Sequence, residues 1–267
     1  MKTFVGKALR WEWRDGVIEL TLDRDPANEI GSAMLAELEQ FAAAIPRFAP
    51  ETAACIIASN RRHGFSAGAD LRELYHSAQA LSEADRLVGV RAFVERVHAT
   101  FDAIDAAPFV TIAAVHGVCF GGGFELALTC DIVIADPMAR FAFPELRLGL
   151  IPGFGGLPRL KRDVGNSFVR DLLLTGRSVN AHRAHVAGLV AQMAAEGESL
   201  RAARSAAAQI TKFDAFARAA AKRFVKQVPR EELRREIDLF CELFARPVVM
   251  TALKKFVESS DAMPYLP

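Results

Sequence analysis

Short apolar runs of strand length recur through the first 190 residues, and helical patterns lie between them. The runs at residues 53–59 (AACIIAS) and 109–115 (FVTIAAV) are typical of buried β-strands, because helices of the same character are longer. Between these runs, apolar residues from Leu87 to Ile104 recur every three or four positions. That spacing predicts a long helix over residues 83–106. The first part of the chain is therefore expected to have an α/β fold.

Other local signals extend this pattern to both ends of the chain. Residues 8–13 and 17–22 flank Asp15-Gly16, which predicts a β-hairpin. A helix is expected from Ser32, as its N-cap, to Pro46. Further short strands are predicted at 131–135 and 140–143. From about Gly155 the pattern is mostly helical, with helices predicted at 199–210, 214–227, 231–245 and 247–259. We therefore divide the chain into a core of residues 1–195 and an all-helical region of residues 196–267.

The charge balance excludes two broad classes of function. Lys and Arg number 33 and Asp and Glu number 32, which leaves a net charge of +1. A general nucleic-acid or membrane-surface binder would need a basic excess, so we expect neither kind of partner. The basic residues Lys212, Arg218, Lys222 and Lys226 are expected to form a solvated helix face.

The cysteines and the N-terminal sequence indicate the compartment. Four cysteines in 267 residues are too few for a disulfide framework, and they are expected to be buried free thiols. The first residues lack the apolar core of a signal peptide, and no apolar run is long enough to span a membrane. No Cys/His set or H-E-x-x-H motif suggests a metal site. We expect a cytoplasmic protein without a bound metal.

Residues 64–68, GFSAG, match G-x-S-x-G, the nucleophile elbow of serine hydrolases. An elbow joins a strand directly to a helix, but here residues 60–63 separate the preceding strand from the motif. The last histidine, His185, is also followed by several helical segments, whereas the triad needs a late histidine. A serine hydrolase is therefore disfavoured.

A second glycine cluster carries more chemical information. Gly121, Gly122 and Gly123 follow an apolar run and open a helix, so their amides could point at negative charge. The spacing fits neither G-x-G-x-x-G nor a P-loop, and tight helix packing is the alternative. Glu125 lies in the first turn of that helix, and Glu145 follows 20 residues later, each between apolar neighbours. The two glutamates are either a pair for acid–base chemistry or partners of arginines such as Arg147 and Arg159.

Three segments in this order resemble the crotonase superfamily, the enoyl-CoA hydratase/isomerase fold: FSAGADL (65–71), AVHGVCFGGGFELALTCDIVIAD (114–136) and FAFPELRLGLIPGFGGLPRL (141–160). The resemblance implies a spiral of ββα turns with the acyl-CoA site in residues 1–195. It also implies that residues 196–267 form a helical trimerisation region, so that the chain would be a homo-oligomer, either a trimer or a dimer of trimers.

The resemblance also implies roles for individual residues. Glu125 and Glu145 fall on the two catalytic glutamates of hydratases, and the amides of Ala69 and Gly122 on the oxyanion hole. The residues that correspond to coenzyme A and substrate contacts are Arg24, Ala67, Gly68, Asp70 and Leu71. The implied activity is hydration of a 2-enoyl-CoA, with no cofactor other than the coenzyme A of the substrate.

Several alternatives stay open at this point. The chain could be a Δ3,Δ2-enoyl-CoA isomerase, a dehydratase acting on a carrier-bound acyl thioester, or a non-catalytic CoA-binding subunit. The motif segments also carry four phenylalanines, Phe120, Phe124, Phe143 and Phe154, where relatives often have smaller or polar residues. These rings either narrow the acyl pocket or fill the core.

Overall fold

The computed structural model describes residues 2–259. The strands are β1 (Thr3–Val5), β2 (Leu9–Arg14), β3 (Val17–Leu22), β4 (Ala54–Ser59), β5 (Gly64–Ser66), β6 (Val110–Val115), β7 (Val118–Phe120), β8 (Ile132–Ala135), β9 (Arg140–Ala142), β10 (Val179–Asn180) and β11 (Gln192–Met193). The α-helices are α1 (Ser32–Phe48), α2 (Leu71–Gln79), α3 (Glu83–Asp105), α4 (Gly122–Ala127), α5 (Gly156–Asp163), α6 (Asn166–Thr175), α7 (Ala181–Val186), α8 (Ser199–Ile210), α9 (Ala215–Val225), α10 (Arg230–Phe244) and α11 (Pro247–Glu258). Short 3-10 turns occupy Ala49–Glu51 and Glu145–Leu148.

The strands form two sheets. The larger has the order β1-β2-β3-β4-β6-β8-β11, and the smaller has the order β10-β9-β7-β5. The predicted hairpin is β2–β3, which is antiparallel, whereas β3, β4, β6, β8 and β11 are parallel. In the smaller sheet β5, β7 and β9 are parallel.

Each turn of the chain adds one strand to each sheet. The pairs β4/β5, β6/β7 and β8/β9 each place their first strand in the large sheet and their second in the small one. Helices follow the strand pairs, with α2 and α3 after β5 and α4 after β7. This is a ββα spiral followed by helices, which confirms the predicted fold class.

The central strands are apolar throughout because both faces of the large sheet are covered. On β4, Cys55 and Ile57 face the main core. Ala54, Ile56 and Ala58, which alternate with them along the strand, pack against α8 on the opposite face. On β6 the same alternation places Ala113 in the main core and Ile112 against α8. The uninterrupted apolar runs in the sequence thus reflect two packed layers.

The C-terminal helices pack on the spiral of the same chain. α8 covers the large sheet at β4 and β6, α10 packs on α3 and α5, and α11 packs on α2. The boundary at residue 195 and the role of residues 196–267 in trimerisation stay predictions. The predictions that concern residues 260–267 lie outside the described residues.

The prediction of a solvated basic face on α9 is wrong for two of its residues. The Lys222 and Lys226 side chains are about nine-tenths buried and form ion pairs with Asp131 at 2.8 Å, and Lys226 also pairs with Asp105 at 2.9 Å. The helical period marks which residues share a face but does not reveal that buried carboxylates lie opposite that face.

Other local predictions need smaller corrections. Helix α1 has Gly31 rather than Ser32 as its N-cap, and it runs through Pro46 to Phe48. The three-residue strands β5 and β7 are not predicted from the sequence, because runs this short carry no periodic signal. The cysteines are free, as predicted, and Cys55, Cys119 and Cys130 are buried.

Candidate active site

Three strands of the small sheet end at one edge and each delivers part of a site. β5, β7 and β9 are parallel, so their carboxyl ends meet at that edge. Ala69 follows β5, Gly122 follows β7, and Glu145 follows β9. Ligands of α/β proteins commonly bind beyond the carboxyl ends of parallel strands. The fold therefore brings together residues that are far apart in the sequence.

The amides of Ala69 and Gly122 lie close together at this edge. A side-chain carbon placed on Gly122 would lie 3.4 Å from the Ala69 nitrogen and 2.7 Å from the Phe154 ring. Within residues 2–259, neither amide donates a hydrogen bond to another backbone or side-chain group. Gly121, just before, has φ of +46° and lies against the Glu145 carboxyl, which is why a glycine is required there. The arrangement leaves two N–H donors available to one oxygen atom.

Glu125 is buried in the first turn of α4, with 1% of its surface exposed. Its Oε1 accepts hydrogen bonds from the amides of Phe154 at 2.7 Å and Gly156 at 2.8 Å. Burial raises the pKa of Glu125 to about 7, although the two amides and the positive charge of Arg159 act in the opposite direction. A carboxylate with a pKa near neutrality can take up and release a proton under ordinary conditions.

Glu145 starts the 3-10 turn after β9, and its carboxyl Oε2 is buried without a hydrogen-bond partner among the described residues. Burial, and then the charge of Glu125, raise the pKa of Glu145 well above its usual range. Among residues 2–259 neither Glu125 nor Glu145 forms an ion pair with an arginine, so the salt-bridge alternative is wrong. Arg159 instead pairs with Asp102 and Asp105. Of the two carboxyl groups, Glu125 is the one that ionises first.

A cavity of about 230 Å³ contains these groups. Its lining includes Ala69, Gly122, Glu125, Glu145 and Phe154. The other walls are largely apolar and include Leu74 and Ala78 of α2, Leu81 of the turn after α2, and Val90, Phe93 and Val94 of α3. An apolar cleft that leads to a few converging polar groups is the usual form of a small-molecule site.

The residues expected to contact coenzyme A are only partly brought together at this cavity. Asp70 and Leu71 line it, whereas Ala67, Gly68 and Arg24 do not. Arg24 donates to Asp70 at 2.6 Å and to the Glu29 carbonyl at 2.7 Å. Asp70 in turn caps α2 through the Glu73 amide. A role of these residues in binding coenzyme A stays a prediction.

Ser66 of the G-x-S-x-G match is buried, and its hydroxyl forms hydrogen bonds with the backbone. It is 1% exposed, and its Oγ donates to the Asn28 carbonyl at 2.7 Å and accepts from the Gly68 amide at 3.2 Å. A nucleophilic serine needs a histidine base within hydrogen-bond reach, and neither partner of this hydroxyl is one.

The aromatic residues of the motif segments divide between cavity and core. Phe154 lines the cavity, whereas Phe124 and Phe143 are fully buried and stack on each other with ring centroids 4.7 Å apart. Phe120 is also buried and does not line the cavity. Two further rings, Phe93 and Phe240, line the cavity, although the sequence motifs do not mark them.

A buried charged cluster behind Glu125 was not anticipated. Glu236 on α10 is 5% exposed and contacts the loop that holds Glu125, and His98 on α3 lies beside it. The helical period could have marked Glu236, because it shares one face of α10 with Leu233, Ile237 and Phe240. A charged residue on an apolar helix face is rarely buried without a partner.

Two further observations concern residues 2–259. None of their helices combines the length and the apolar character that a membrane crossing requires. Their His, Cys, Asp and Glu side chains form no group of three or more with an arrangement suited to a metal ion.

Comparison with known proteins gives a consistent result. A family model described as "Enoyl-CoA hydratase/isomerase" matches residues 12–263. A Mycobacterium bovis protein named "Probable enoyl-CoA hydratase echA8" is 35% identical over 250 residues, which cover 92% of each chain. The 2,3-dehydroadipyl-CoA hydratase of Escherichia coli is 36% identical over 214 residues, covering 79% of this chain and 78% of that protein. The crystal structure of an enoyl-CoA hydratase from Bacillus halodurans has a TM-score of 0.83 at 24% identity, covering 93% of this chain and 99% of that one, and so shows the same fold.

Proposed function

The chain belongs to the enoyl-CoA hydratase/isomerase family, and from that premise we propose that it adds water across the C2=C3 bond of a 2-enoyl-CoA. The product would be the 3-hydroxyacyl-CoA, and the reaction would be reversible. The observation that carries the proposal is that Glu125 and Glu145 line one cavity together with the free amides of Ala69 and Gly122. An isolated acid or an isolated oxyanion site would not support hydration.

The two amides are suited to the thioester oxygen of the substrate. Negative charge develops on this oxygen as water adds to C3, and amides that are already in place stabilise it without rearrangement. One such donor contributes on the order of 3 kcal/mol to lowering the barrier. We assign this role to Ala69 and Gly122 on the geometry described above.

The unequal environments of the glutamates suggest their roles. Near neutral pH, Glu125 is the carboxyl group that loses its proton, because its pKa is about 7 whereas that of Glu145 lies well above the usual range. Glu125 would then accept a proton from water as the oxygen bonds to C3, and Glu145 would give its proton to C2. The two groups are coupled, so the observed titration belongs to the pair. The route requires no metal and no cofactor beyond the coenzyme A of the substrate.

The direct test follows the absorbance of the conjugated enoyl thioester of crotonyl-CoA. We expect rapid loss of absorbance with the wild-type chain, and a fall of at least about 100-fold in Glu125→Gln and in Glu145→Gln. Loss of hydration with retained double-bond migration in Glu145→Gln would instead support the isomerase. Tight coenzyme A binding without turnover of any CoA-bound or carrier-bound enoyl thioester would support the non-catalytic alternative.

The shape of the cleft affects which acyl chain lengths it can hold. At the end between α2 and α3 the lining residues Ser77, Leu81 and Gly89 are exposed, and Arg86 is partly exposed. The aromatic wall therefore does not close this end. Of the four motif phenylalanines, Phe154 lines the cavity and the other three are buried away from it. A C4 to C16 acyl-CoA series is expected to show that chains longer than C4 are accepted.

Arg86 favours a second substrate class. Among the described lining residues it is the one cation, and its Nε donates to the Ala78 carbonyl at 3.1 Å. Its two terminal nitrogens make no hydrogen bond within residues 2–259, and a guanidinium is well suited to a carboxylate. One relative is named a dehydroadipyl-CoA hydratase, whose substrate carries a second carboxyl group. We include 2,3-dehydroadipyl-CoA in the panel and expect Arg86→Met to weaken kcat/KM for it more than for crotonyl-CoA.

We also infer that the chain forms a homo-oligomer, a trimer or a dimer of trimers. Support comes from α9, where Phe216, Phe224 and Val225 are each more than three-quarters exposed. Apolar side chains so exposed on one short helix suggest a surface that another subunit covers. Sedimentation velocity tests this inference, and a monomer at micromolar concentration would contradict it. Cytoplasmic location stays a prediction from the sequence.

A further inference from the structure

Two buried glutamates hold the same four-residue segment from different sides. Glu125 Oε1 accepts the amides of Phe154 and Gly156 at 2.7 and 2.8 Å. Glu236 accepts the two remaining amides, with Oε2 at 2.6 Å from the Gly155 nitrogen and Oε1 at 3.1 Å from the Leu157 nitrogen. Four consecutive N–H groups therefore alternate between two carboxyl groups.

The local backbone explains why these amides are available. The segment leads into α5, whose first N–H groups have no partner within the helix. Gly155 has φ of +93°, and a side-chain carbon there would lie 2.0 Å from an Arg159 nitrogen. The segment thus approaches Arg159 closely and presents its amides to carboxyl groups that flank it.

Other charged groups complete the surroundings of Glu125. Glu145 faces it across the cavity, and Arg159 of α5 lies behind it, paired with Asp102 and Asp105 of α3. His98 of α3 binds the Gly153 carbonyl through Nε2 at 2.9 Å, and the same nitrogen is 3.6 Å from Glu236 Oε2.

The state of this histidine limits its influence on Glu236. Burial lowers the pKa of His98 to about 4, so near neutral pH the histidine is uncharged. His98 therefore supplies no positive charge beside Glu236 in the pH range where Glu125 titrates.

We propose that Glu236 is a positioning residue of the active site. It holds residues 154–157 so that two of their amides stay directed at Glu125. The inference rests on the proposed hydratase function, because Glu125 is the base of that reaction. Glu236 is not among the residues that line the cavity, so it acts through Glu125 and the loop rather than on the substrate.

The hydrogen bonds at Glu125 give this role a measurable effect. Against the larger effect of burial, which raises the pKa of Glu125, the amides of Gly156 and Phe154 lower it. Burial, and then the charge of Glu125, raise the pKa of Glu236 well above its usual range, so Glu236 ionises less readily than Glu125. When Glu236 no longer holds the segment, the two amides stabilise the Glu125 carboxylate less, and the pKa of Glu125 should rise.

The test compares Glu236→Gln with the wild-type enzyme in two measurements. In the first, kcat and KM for crotonyl-CoA are followed from pH 5 to pH 9. We expect kcat to fall about 10- to 100-fold, as small displacements of catalytic groups do, with KM unchanged. The acidic limb of the kcat profile should move to higher pH, because the two amides stabilise the Glu125 carboxylate less. The matched control is Glu232→Gln, one turn earlier on α10, where an exposed ion pair with Lys161 of α5 is lost. The control should leave kcat and the acidic limb unchanged.

The second measurement does not depend on turnover. The carboxyl 13C resonance of Glu125, assigned by its absence in Glu125→Gln, is titrated in the wild-type chain and in Glu236→Gln. A shift of the Glu125 midpoint to higher pH supports the proposal. A midpoint that is unchanged or moves to lower pH in a folded Glu236→Gln variant overturns it, whatever happens to kcat. If the wild-type chain hydrates no enoyl thioester, the proposed function fails while this titration still decides the influence of Glu236 on Glu125.

A second variant covers the case in which Glu236→Gln does not fold. Glu236→Asp keeps a carboxyl group but withdraws it by one methylene from the amides of Gly155 and Leu157. We expect kcat to fall at least 10-fold with KM unchanged and the acidic limb to move to higher pH. Wild-type kcat in folded Glu236→Asp would overturn the positioning role.

Discussion

Replacing Glu125, the proposed catalytic base, by glutamine should stabilise the protein while it abolishes activity. Both hydrogen bonds that Glu125 accepts end on the same oxygen, Oε1. A glutamine of the same shape can accept both bonds with its single carbonyl oxygen. What the substitution removes is the need to ionise a carboxyl group that is 1% exposed.

The magnitude follows from linkage between protonation and folding. The pKa of Glu125 is about 7 in the folded chain against an ordinary value of 4.5. The folded state therefore keeps its proton over a range in which the unfolded state has lost it, and stability falls as pH rises through that range. At about 1.36 kcal/mol for each pKa unit, this costs the wild-type chain roughly 3 kcal/mol by pH 8. Glutamine carries no such cost. The gain in unfolding free energy of Glu125→Gln over the wild-type chain should therefore be small near pH 4.5 and complete above pH 7.

Urea unfolding at equal protein concentration, at pH 4.5, 6, 7 and 8, measures the effect. We expect the difference in unfolding free energy between Glu125→Gln and wild type to grow by about 3 kcal/mol over this series. The exposed residue Glu196 provides a control, because Glu196→Gln removes a carboxyl group without changing a buried one. A difference that does not change with pH would refute the reasoning.

Further predictions concern the oxyanion site, the buried arginine, the serine motif and the pH profile. Gly122→Ala should lower kcat/KM for crotonyl-CoA about 100-fold or more by disturbing a proposed oxyanion donor. Gly165→Ala, where a side chain meets open space, should not. Arg159→Met should lower the unfolding free energy by about 3 kcal/mol in urea, because it removes a fully buried cation that pairs with Asp102 and Asp105, while Asp105 keeps its pairs with Arg162 and Lys226. Ser66→Ala should keep near wild-type kcat and cost about 1 kcal/mol of stability, whereas loss of turnover in the folded variant would revive the hydrolase alternative. Steady-state kcat should rise as pH increases through about 7, where Glu125 loses its proton, and a profile flat from pH 5 to 9 would contradict its role as base.

Local sequence was enough to predict much of the fold. The apolar runs that became β4 and β6 are strands because both faces of the large sheet are covered, which leaves no polar alternation. The Asp15-Gly16 turn and the helical periods likewise express preferences of neighbouring residues. The strands β5 and β7 could not be predicted in this way, because three residues carry no period and their pairing partners are distant in the chain.

The same distinction between local sequence and assembled structure applies to the candidate site. Gly121, Gly122 and Glu125 lie within one short segment, so the sequence alone indicated a polar group beside free amides. Spacing could not show that Glu125 and Glu145 have different pKa values, because burial and mutual charge arise only when the strands are assembled.

One long-range contact of the site could not be predicted from any local signal. Glu236 meets the Gly155 amide across 81 residues of sequence. By itself the sequence determined which elements form and which residues can carry the chemistry, since both depend on neighbours along the chain. Only the tertiary structure decided which carboxyl group ionises first and what holds it in place, because these depend on groups that the fold alone makes adjacent.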